Sequence, residues 1–403
     1  MGMIINIDKA LELRSDYNIL KEPLNAMLKN QQEAWEKSNP IDLLFVRGTL
    51  NSFQETYTSS IGFNHAFAET SDYAVGPIFN TAEGFSATYR SRTFQGGFII
   101  TQQVLEDGQM GRVKDDANAF IKRWHGDIVE YAMTAIDSGF GVARKFEDTK
   151  LQLFSADTTD GVIDTPTKNP LFCKTHKTVK TGDRAAIDQS NLFSADIDLM
   201  SDDPGVIVKL ADAINQAITY MENYRDDNGK RAGVLGAKTI VAANDPHLKA
   251  AINTALSMDR FNVGESMMLN PAKERATAEF TPYLSDIEAC KEDSTKKFSR
   301  GFFIVDKSYN EANHGPELTE RVALTLDVNN NTSAPKGIKY EGRQRFDINV
   351  ASWRGISYVY LGTPVTDDAN AWNHKDKFTA LNLVKTAVTP VNVVNTVSTK
   401  EQP

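Results

Sequence analysis

A chain of 403 residues is long enough to bury a sizeable core and to divide into two or three compact regions. Its 41% hydrophobic and 24% charged content excludes general disorder, and 53 acidic against 44 basic residues, net -9, argue against gripping a phosphate backbone, which is held by Lys and Arg. There is no run of about 18 apolar residues, no apolar signal core at the N-terminus, and no CxxC pair from Cys173 and Cys290; the sequence therefore predicts no membrane span, signal peptide, zinc ribbon or disulfide scaffold, and a reducing compartment fits best.

Leu13, Tyr17, Leu20, Leu24, Met27, Gln31 and Trp35 recur at three- and four-residue steps, which predicts a helix over 8–37 that Pro23 ends or kinks. Such an amphipathic arm is expected to pack on a neighbour. From Leu43 to Gln102 the composition turns to Thr, Ser, Phe, Tyr, Val and Ile with scattered glycines, predicting strands and turns. An extended hairpin is expected, turning at Asn80–Gly84 and returning through Thr88–Thr93, a ribbon polar enough to lie on something other than its own core. Arg112–Asp137 carries the clearest helical stripe, with Val113, Ala117, Phe120, Ile121, Trp124, Ile128, Tyr131 and Ile136, and Ser138-Gly139 stops it.

Phe140–Ser194 reads as loop, a surface excursion or crossover punctuated by Leu151–Phe154 and Leu171–Phe172. A helix is predicted near Pro204–Glu222 on Val206, Leu210, Ile214, Ala217, Ile218 and Met221, with Asp202-Asp203 favouring its N-terminus. Ala237–Ala243 reads as a buried strand, and Asn244-Asp245-Pro246 starts a helix running to about Ala255. With strands at Phe302–Val305 and Val322–Leu326, these make an α/β lobe. Residues 338–361 form the last β region, with Phe346, Ile348 and Val350 alternating before the Trp353-Arg354-Gly355 break and Ile356, Tyr358 and Tyr360 after it. The tail Ala380–Pro403 alternates well enough to add a strand to another sheet.

No catalytic, cofactor-binding or metal-binding constellation is legible. GxSxG, HExxH, an EF-hand loop and the P-loop lysine pattern are all missing, and the six histidines are scattered singly. His125 beside Trp124, and His176, read as structural; Asp226-Asp227-Asn228-Gly229 reads as a turn rather than a calcium loop. Gly139-Phe140-Gly141 follows a helix, not the strand that a dinucleotide fingerprint requires. Arg90, Arg92 and Arg112 flank the ribbon and the long helix and are candidates for pairing with acids of adjacent subunits, the plain alternative being solvated charges. Trp35, Trp353 and Arg354 complete the candidate subunit-interface set.

The run TYRSRTFQGGFIITQQVLEDGQMGRVKDDANAFIKRWHGDIVEYAMTAIDSGF, Thr88 to Phe140, resembles a stretch of tailed-bacteriophage major capsid proteins in which an elongated hairpin, the E-loop, returns through a strand and an acidic link such as LEDG into a spine helix. NPLFCKTH at Asn169–His176 followed by SNLFSADI at Ser190–Ile197 is similar to a pattern of Mu-type major head subunits, and SWRG at Ser352–Gly355 resembles the turn near that family's end. The resemblance implies an α+β Hong Kong 97-type capsid fold with an N-terminal arm at 1–52 and an E-loop at 53–98. It further implies a P domain with the spine helix at 99–178 and 340–403, including a C-terminal extension, and an α/β A domain at 179–339.

By the same resemblance the chain is a structural protein, not an enzyme. It is expected to self-assemble into hexamers and pentamers of an icosahedral or prolate virion shell, put together in the host bacterial cytoplasm, enclosing double-stranded DNA without sequence-specific binding. The implied partners are a portal, a scaffold and decoration or cement proteins, with no membrane and no cofactor. Some relatives weld their shells through an E-loop lysine, but residues 38–113 contain none, so no such cross-link is expected. Only some forty residues precede the E-loop, which points to a separate scaffold or to none. An encapsulin-type compartment shell, which shares the fold, and an α/β enzyme of unknown type are the alternatives.

Overall fold

The computed structural model describes residue 26 and most of 29–383, leaving aside 62–77, 79–80, 105–106, 108–109, 181–183, 264–265, 293–297, 332–336 and the single positions 32, 36, 38, 102, 164, 202 and 204. Its dominant element is the helix Met110–Ser138, 29 residues or about 43 Å at 1.5 Å per residue. Ala117, Ile121, Ile128, Val129, Tyr131, Ala132, Ala135 and Ile136 bury one stripe of it, and the Gly139 N–H closes its end on the Ile136 carbonyl.

That stripe lies on a four-stranded sheet in the order Val46–Thr49, Glu317–Asn331, Gly337–Asn349, Arg92–Thr101, whose first pairing is parallel and the others antiparallel. Alternation along Gly337–Asn349 turns Ile338, Tyr340, Gly342, Gln344 and Phe346 inward. Phe94 stacks on Phe346 and Phe98 on Tyr340, while Trp124 donates its indole N–H to Gln344 Oε1 at 2.6 Å. Glycine is required at the contact, because a Cβ on Gly342 would stand 3.2 Å from both the Phe120 and the Trp124 rings.

The second layer is a six-stranded mixed sheet in the order Ala276–Thr281, Lys238–Ala243, Gly301–Asp306, Ile356–Leu361, Leu192–Ala195, Thr379–Ala380. Gly301–Asp306 and Ile356–Leu361 are buried along their whole length, as expected of central strands covered on both faces. Helices Val206–Glu222 and Pro246–Ser257 cover this sheet, the second capped by Asp245, whose carboxylate accepts from the His247 N–H at 2.8 Å and the Leu248 N–H at 3.3 Å. Lys238 and Asp306 form a buried ion pair at 2.7 Å, with two carbonyls taking the ammonium's remaining protons. One apolar core runs through both layers, from Phe346 and Tyr131 to Tyr358 and Phe303.

Several expectations are corrected. The hairpin consists of Gln54–Ser60 paired with Glu83–Arg90, so Glu83 and Gly84 are strand residues and the connection runs over 61–82. Arg92–Thr101 leaves the hairpin after Ser91 and joins the four-stranded sheet. Phe140–Ser194 is not a surface excursion: its short strand pairs bring Leu151, Leu171, Phe172 and the polar Ser155, Asp157, Asn169 and His176 into the interior. Strand Ile356–Leu361 is hydrogen-bonded between Gly301–Asp306 and Leu192–Ala195, and Glu317–Asn331 lies beside Gly337–Asn349, so a boundary at 339/340 cuts across both sheets. Described positions from Ala26 to Lys37 are helical; the rest of the expected arm helix, with Pro23, lies outside the described residues, as does the tail from 384.

Candidate functional site

Two of the segments that carry the capsid resemblance, Asn169–Ile197 and Ser352–Gly355, meet at one buried polar node. His176 is fully enclosed and stacks on Trp353 with ring centroids 4.1 Å apart and planes 8° from parallel. Its Nδ1 faces the Asp157 carboxylate at 3.1 Å, and its Nε2 faces the Leu171 carbonyl at 3.2 Å and Asn191 Oδ1 at 3.1 Å. The Asn191 amide is fixed in orientation, because its Nδ2 donates to the Leu171 and Ile356 carbonyls and its Oδ1 accepts from the Cys173 N–H. Each ring nitrogen thus has an acceptor in reach, the Asp157 carboxylate on one side and the Leu171 carbonyl with Asn191 Oδ1 on the other. Burial opposes charge on Asp157, but the His176 ring, with Ser155 and Asn169 also donating to it, outweighs burial and holds the carboxyl below the usual aspartate value.

Trp353 carries the node outward. Tyr224 packs edge-on against it at 4.8 Å, and the next residue, Arg354, donates from Nη2 to Asp227 Oδ1 at 2.7 Å and from Nε to the Arg225 carbonyl at 2.8 Å. Burial disfavours this guanidinium's charge, but the Asp227 carboxylate more than restores it and raises its pKa. Asp227 sits in the turn read from the sequence: Asp226 Oδ1 accepts from the Asn228 and Lys230 N–H groups, and Gly229 takes a φ of +78° that suits glycine. The Arg184 guanidinium clamps the same turn through the Asp227 and Asn228 carbonyls.

The other oxygen of Asp227 reaches the hairpin, accepting from Ser59 Oγ at 3.0 Å. Lys168 Nζ donates to the Ser86 carbonyl at 3.2 Å, and Ile61 and Phe85 bury with Ala156 and Val179 in a small separate cluster. Nearer the hairpin's root, Tyr57 lies on His314 at 4.3 Å, Tyr89 donates to the His314 carbonyl at 3.3 Å, and the Arg90 N–H reaches Asn349 Oδ1 at 3.4 Å. Burial drives the Tyr89 hydroxyl's pKa well up, with the nearby Glu317 adding to it. The node is therefore the seat on which an otherwise self-paired hairpin rests.

Of the candidate interface residues, Trp353 (1% exposed) and Arg354 (9%) belong to this interior and not to a surface, a correction to their expected role. Trp35 stacks on His125 of the long helix at 4.5 Å, beneath the Arg47 guanidinium, so the described end of the arm packs on its own protomer. Arg92 pairs with Asp347 of the neighbouring strand in its own sheet at 2.9 Å, and Arg112 lies 3.8 Å from Asp116 one helical turn on, leaving both guanidinium groups substantially open to solvent. Arg90 is exposed on the hairpin's return strand. Asp157 and Asn191 escaped sequence reasoning; the only signal was the position of Asn191 within the SNLFSADI segment. Among the described residues no group of His, Cys, Asp or Glu has metal-site geometry, and both cysteines are free.

No protein-family model matches the chain, and no curated protein matches it. Solved structures do resemble it. A structure from Mycobacterium phage Patience matches at 11% identity and a TM-score of 0.47, over 89% of this chain and 93% of that one. The mature capsid of bacteriophage PhiM1 matches at 10% identity and 0.41, over 79% and 85%. A virus-like particle from Pyrococcus furiosus matches at 9% identity and 0.43, over 84% and 98%.

Proposed function

We propose that the chain is a shell subunit of the Hong Kong 97 type, the major capsid protein of a tailed bacteriophage, which assembles through repeated contacts into a closed shell around double-stranded DNA. The observation that carries this reading is the convergence just described: two of the three stretches of capsid-like sequence, Asn169–Ile197 and Ser352–Gly355, build one buried node that seats a hairpin whose return strand leads into the third. A stiff helix-on-sheet body with such a hairpin suits a subunit that must bury surface on several neighbours at once, and heterologous contacts of that kind close into rings of five or six.

On this reading residues 1–52 form the arm, 53–98 the E-loop, 99–178 and 340–403 the P domain and 179–339 the A domain, except that strand Ile356–Leu361 completes the A-domain sheet. Arg90, with the open faces of Arg92 and Arg112, supplies candidate contacts to neighbouring acids. Without a lysine in 38–113 the shell is held non-covalently at this loop, by contacts or by a separate cement protein. A portal and a scaffolding protein complete the expected partners, and the virion is the expected location. The His176–Asp157 pair resembles half of a hydrolytic triad, but its ring is wholly enclosed and both nitrogens are engaged, which favours a structural role over an enzymatic one.

The test is to express the chain alone and with scaffold candidates, size it by sedimentation and image the heavy fraction. Shells, tubes or rings of five or six are expected. A monomer or dimer that never assembles overturns the reading. Native particles then separate virion from compartment, packaged DNA supporting the first and an enclosed enzyme the second.

A further inference from the structure

The two margins of the six-stranded sheet differ. At one, Thr379–Ala380 is the last strand before the tail, and the Asn382 carbonyl accepts from Gln216 Nε2 at 2.7 Å, so the chain leaves the sheet on that side. At the other, Ala276–Thr281 is paired on one side only, with Lys238–Ala243, and among the described strands none lies along its outer edge. A strand paired on one side presents a row of unpaired N–H and C=O groups, a template for a further strand.

That open edge runs into a cavity of about 610 Å³ between the end of the arm, the long helix and the turn after the strand. Three features of the lining call for an occupant. Asn39 is 6% exposed, and its Oδ1 accepts from the Ile41 N–H at 2.9 Å, which leaves Nδ2 buried with no partner among the described residues. Thr281, 2% exposed, likewise keeps a hydroxyl without a partner. Gly126 weakens the interior of the long helix at a position where a Cβ would meet nothing within 4 Å, so the packing of this chain does not require glycine there. Trp35, Phe280 and Tyr283 add apolar walls. Extended peptide fits this lining: its backbone satisfies the Asn39 donor and the Thr281 hydroxyl, its side chains cover the rings, and Gly126 lets it come close.

We infer that the occupant is the tail of a second copy of this chain, with residues 391–397, VNVVNTV, adding as a strand to Ala276–Thr281 and the flanking tail entering the cavity. The segment 386–399 carries no charge, Val391, Val393 and Val397 fall on one face of an extended strand, and Pro390 stands just before it, where a missing N–H breaks no ladder. The chain's own tail is too short for the task. The two margins lie about 24 Å apart across the sheet, whose central strands are buried along their whole length. The stretch from Leu383 to Val391 reaches about 29 Å when fully straight, too little to pass round the lobe. A donor margin on one copy and an acceptor margin on the next make a heterologous, repeating contact. The proposal rests on the shell-subunit reading and deepens it by naming one interface between subunits.

The experiment replaces Tyr283, exposed at the cavity's rim, by the photo-cross-linking residue p-benzoylphenylalanine in the full chain. Isotopically light and heavy chains are mixed under assembly conditions, irradiated, and their adducts located by mass spectrometry. Adducts from position 283 to 386–399 that join a light chain to a heavy one are expected. Gly126→Leu fills the cavity from a point with open space in front of it, and should cut their yield at least tenfold while the thermal midpoint stays at or above the parent's. Val393→Asp should cut the yield as far from the tail's side. Adducts confined to single chains, adducts to another segment, no adduct, or a yield that Val393→Asp leaves untouched each overturn the proposal. Closed particles without tail adducts leave the shell reading standing and sink this contact; tail adducts in ladders that never close do the reverse.

Discussion

Asp157→Ala should be among the most damaging single changes in the chain. It strips the carboxylate from a fully enclosed ring and leaves the His176 Nδ1, the Ser155 hydroxyl and the Asn169 amide without that partner in the interior. Breaking a buried pair from one side costs about 3–5 kcal/mol. His176→Phe keeps the stack on Trp353 but strands the carboxylate, at a similar cost. The double variant removes both partners together, while Asn169 Nδ2 retains the Thr158 carbonyl at 3.2 Å and Ser155 Oγ the Asn169 carbonyl at 3.3 Å. It should therefore lose only about 1–2 kcal/mol, the scale of displaced neutral hydrogen bonds, and be more stable than either single variant. Urea unfolding of the unassembled subunit, followed by tryptophan fluorescence, measures all four corners of the cycle. A double variant whose loss equals the sum of the two singles would refute a direct energetic coupling between His176 and Asp157.

The same pair has an acid limit. The Asp157 carboxyl lies below its ordinary value of 3.8 when folded, so its contribution is present above 3.8 and is lost as the pH falls through the folded value; the stability gap between parent and Asp157→Ala should shrink on acidification, as read from unfolding midpoints against pH. Gly342→Val should cost about 1–3 kcal/mol by driving the Phe120 and Trp124 rings off the sheet, visible as an earlier thermal transition and altered tryptophan emission. Asp245→Ala should cost about 1–2 kcal/mol, since the carboxylate caps a helix and also accepts from the Ser299 N–H at 2.5 Å, and urea unfolding again measures it.

The helices were legible because their apolar residues repeat at the helical period over many turns: Met110–Ser138 and Val206–Glu222 begin and end within two residues of expectation. The Asp245-Pro246 start was equally plain, a side-chain cap followed by proline. Strands were legible only where alternation was apolar. Glu317–Asn331 was seen only as 322–326, because Thr, Glu and Asn fill its ends and its length is dictated by pairing with Gly337–Asn349. Phe140–Ser194 looked like loop because its strands are two to five residues long and its buried polar groups are satisfied by partners far along the chain. Nothing local to His176 names Asp157, 19 residues earlier, as its hydrogen-bond partner. Trp353 and Arg354 passed for surface residues because a tryptophan–arginine break between strands looks the same whether it faces water or a buried acid.

The position of Ile356–Leu361 has a consequence in time. The strand sits between Gly301–Asp306 and Leu192–Ala195, and among the described strands the latter is flanked on its other side by Thr379–Ala380, later still in the chain. Ribosomes deliver about 5–20 residues per second, N-terminus first, so the lobe's sheet stays in two pieces until nearly the whole polypeptide has emerged. This order acts as a quality gate: a truncated or unfinished chain lacks the strand that unites the sheet and cannot complete the lobe.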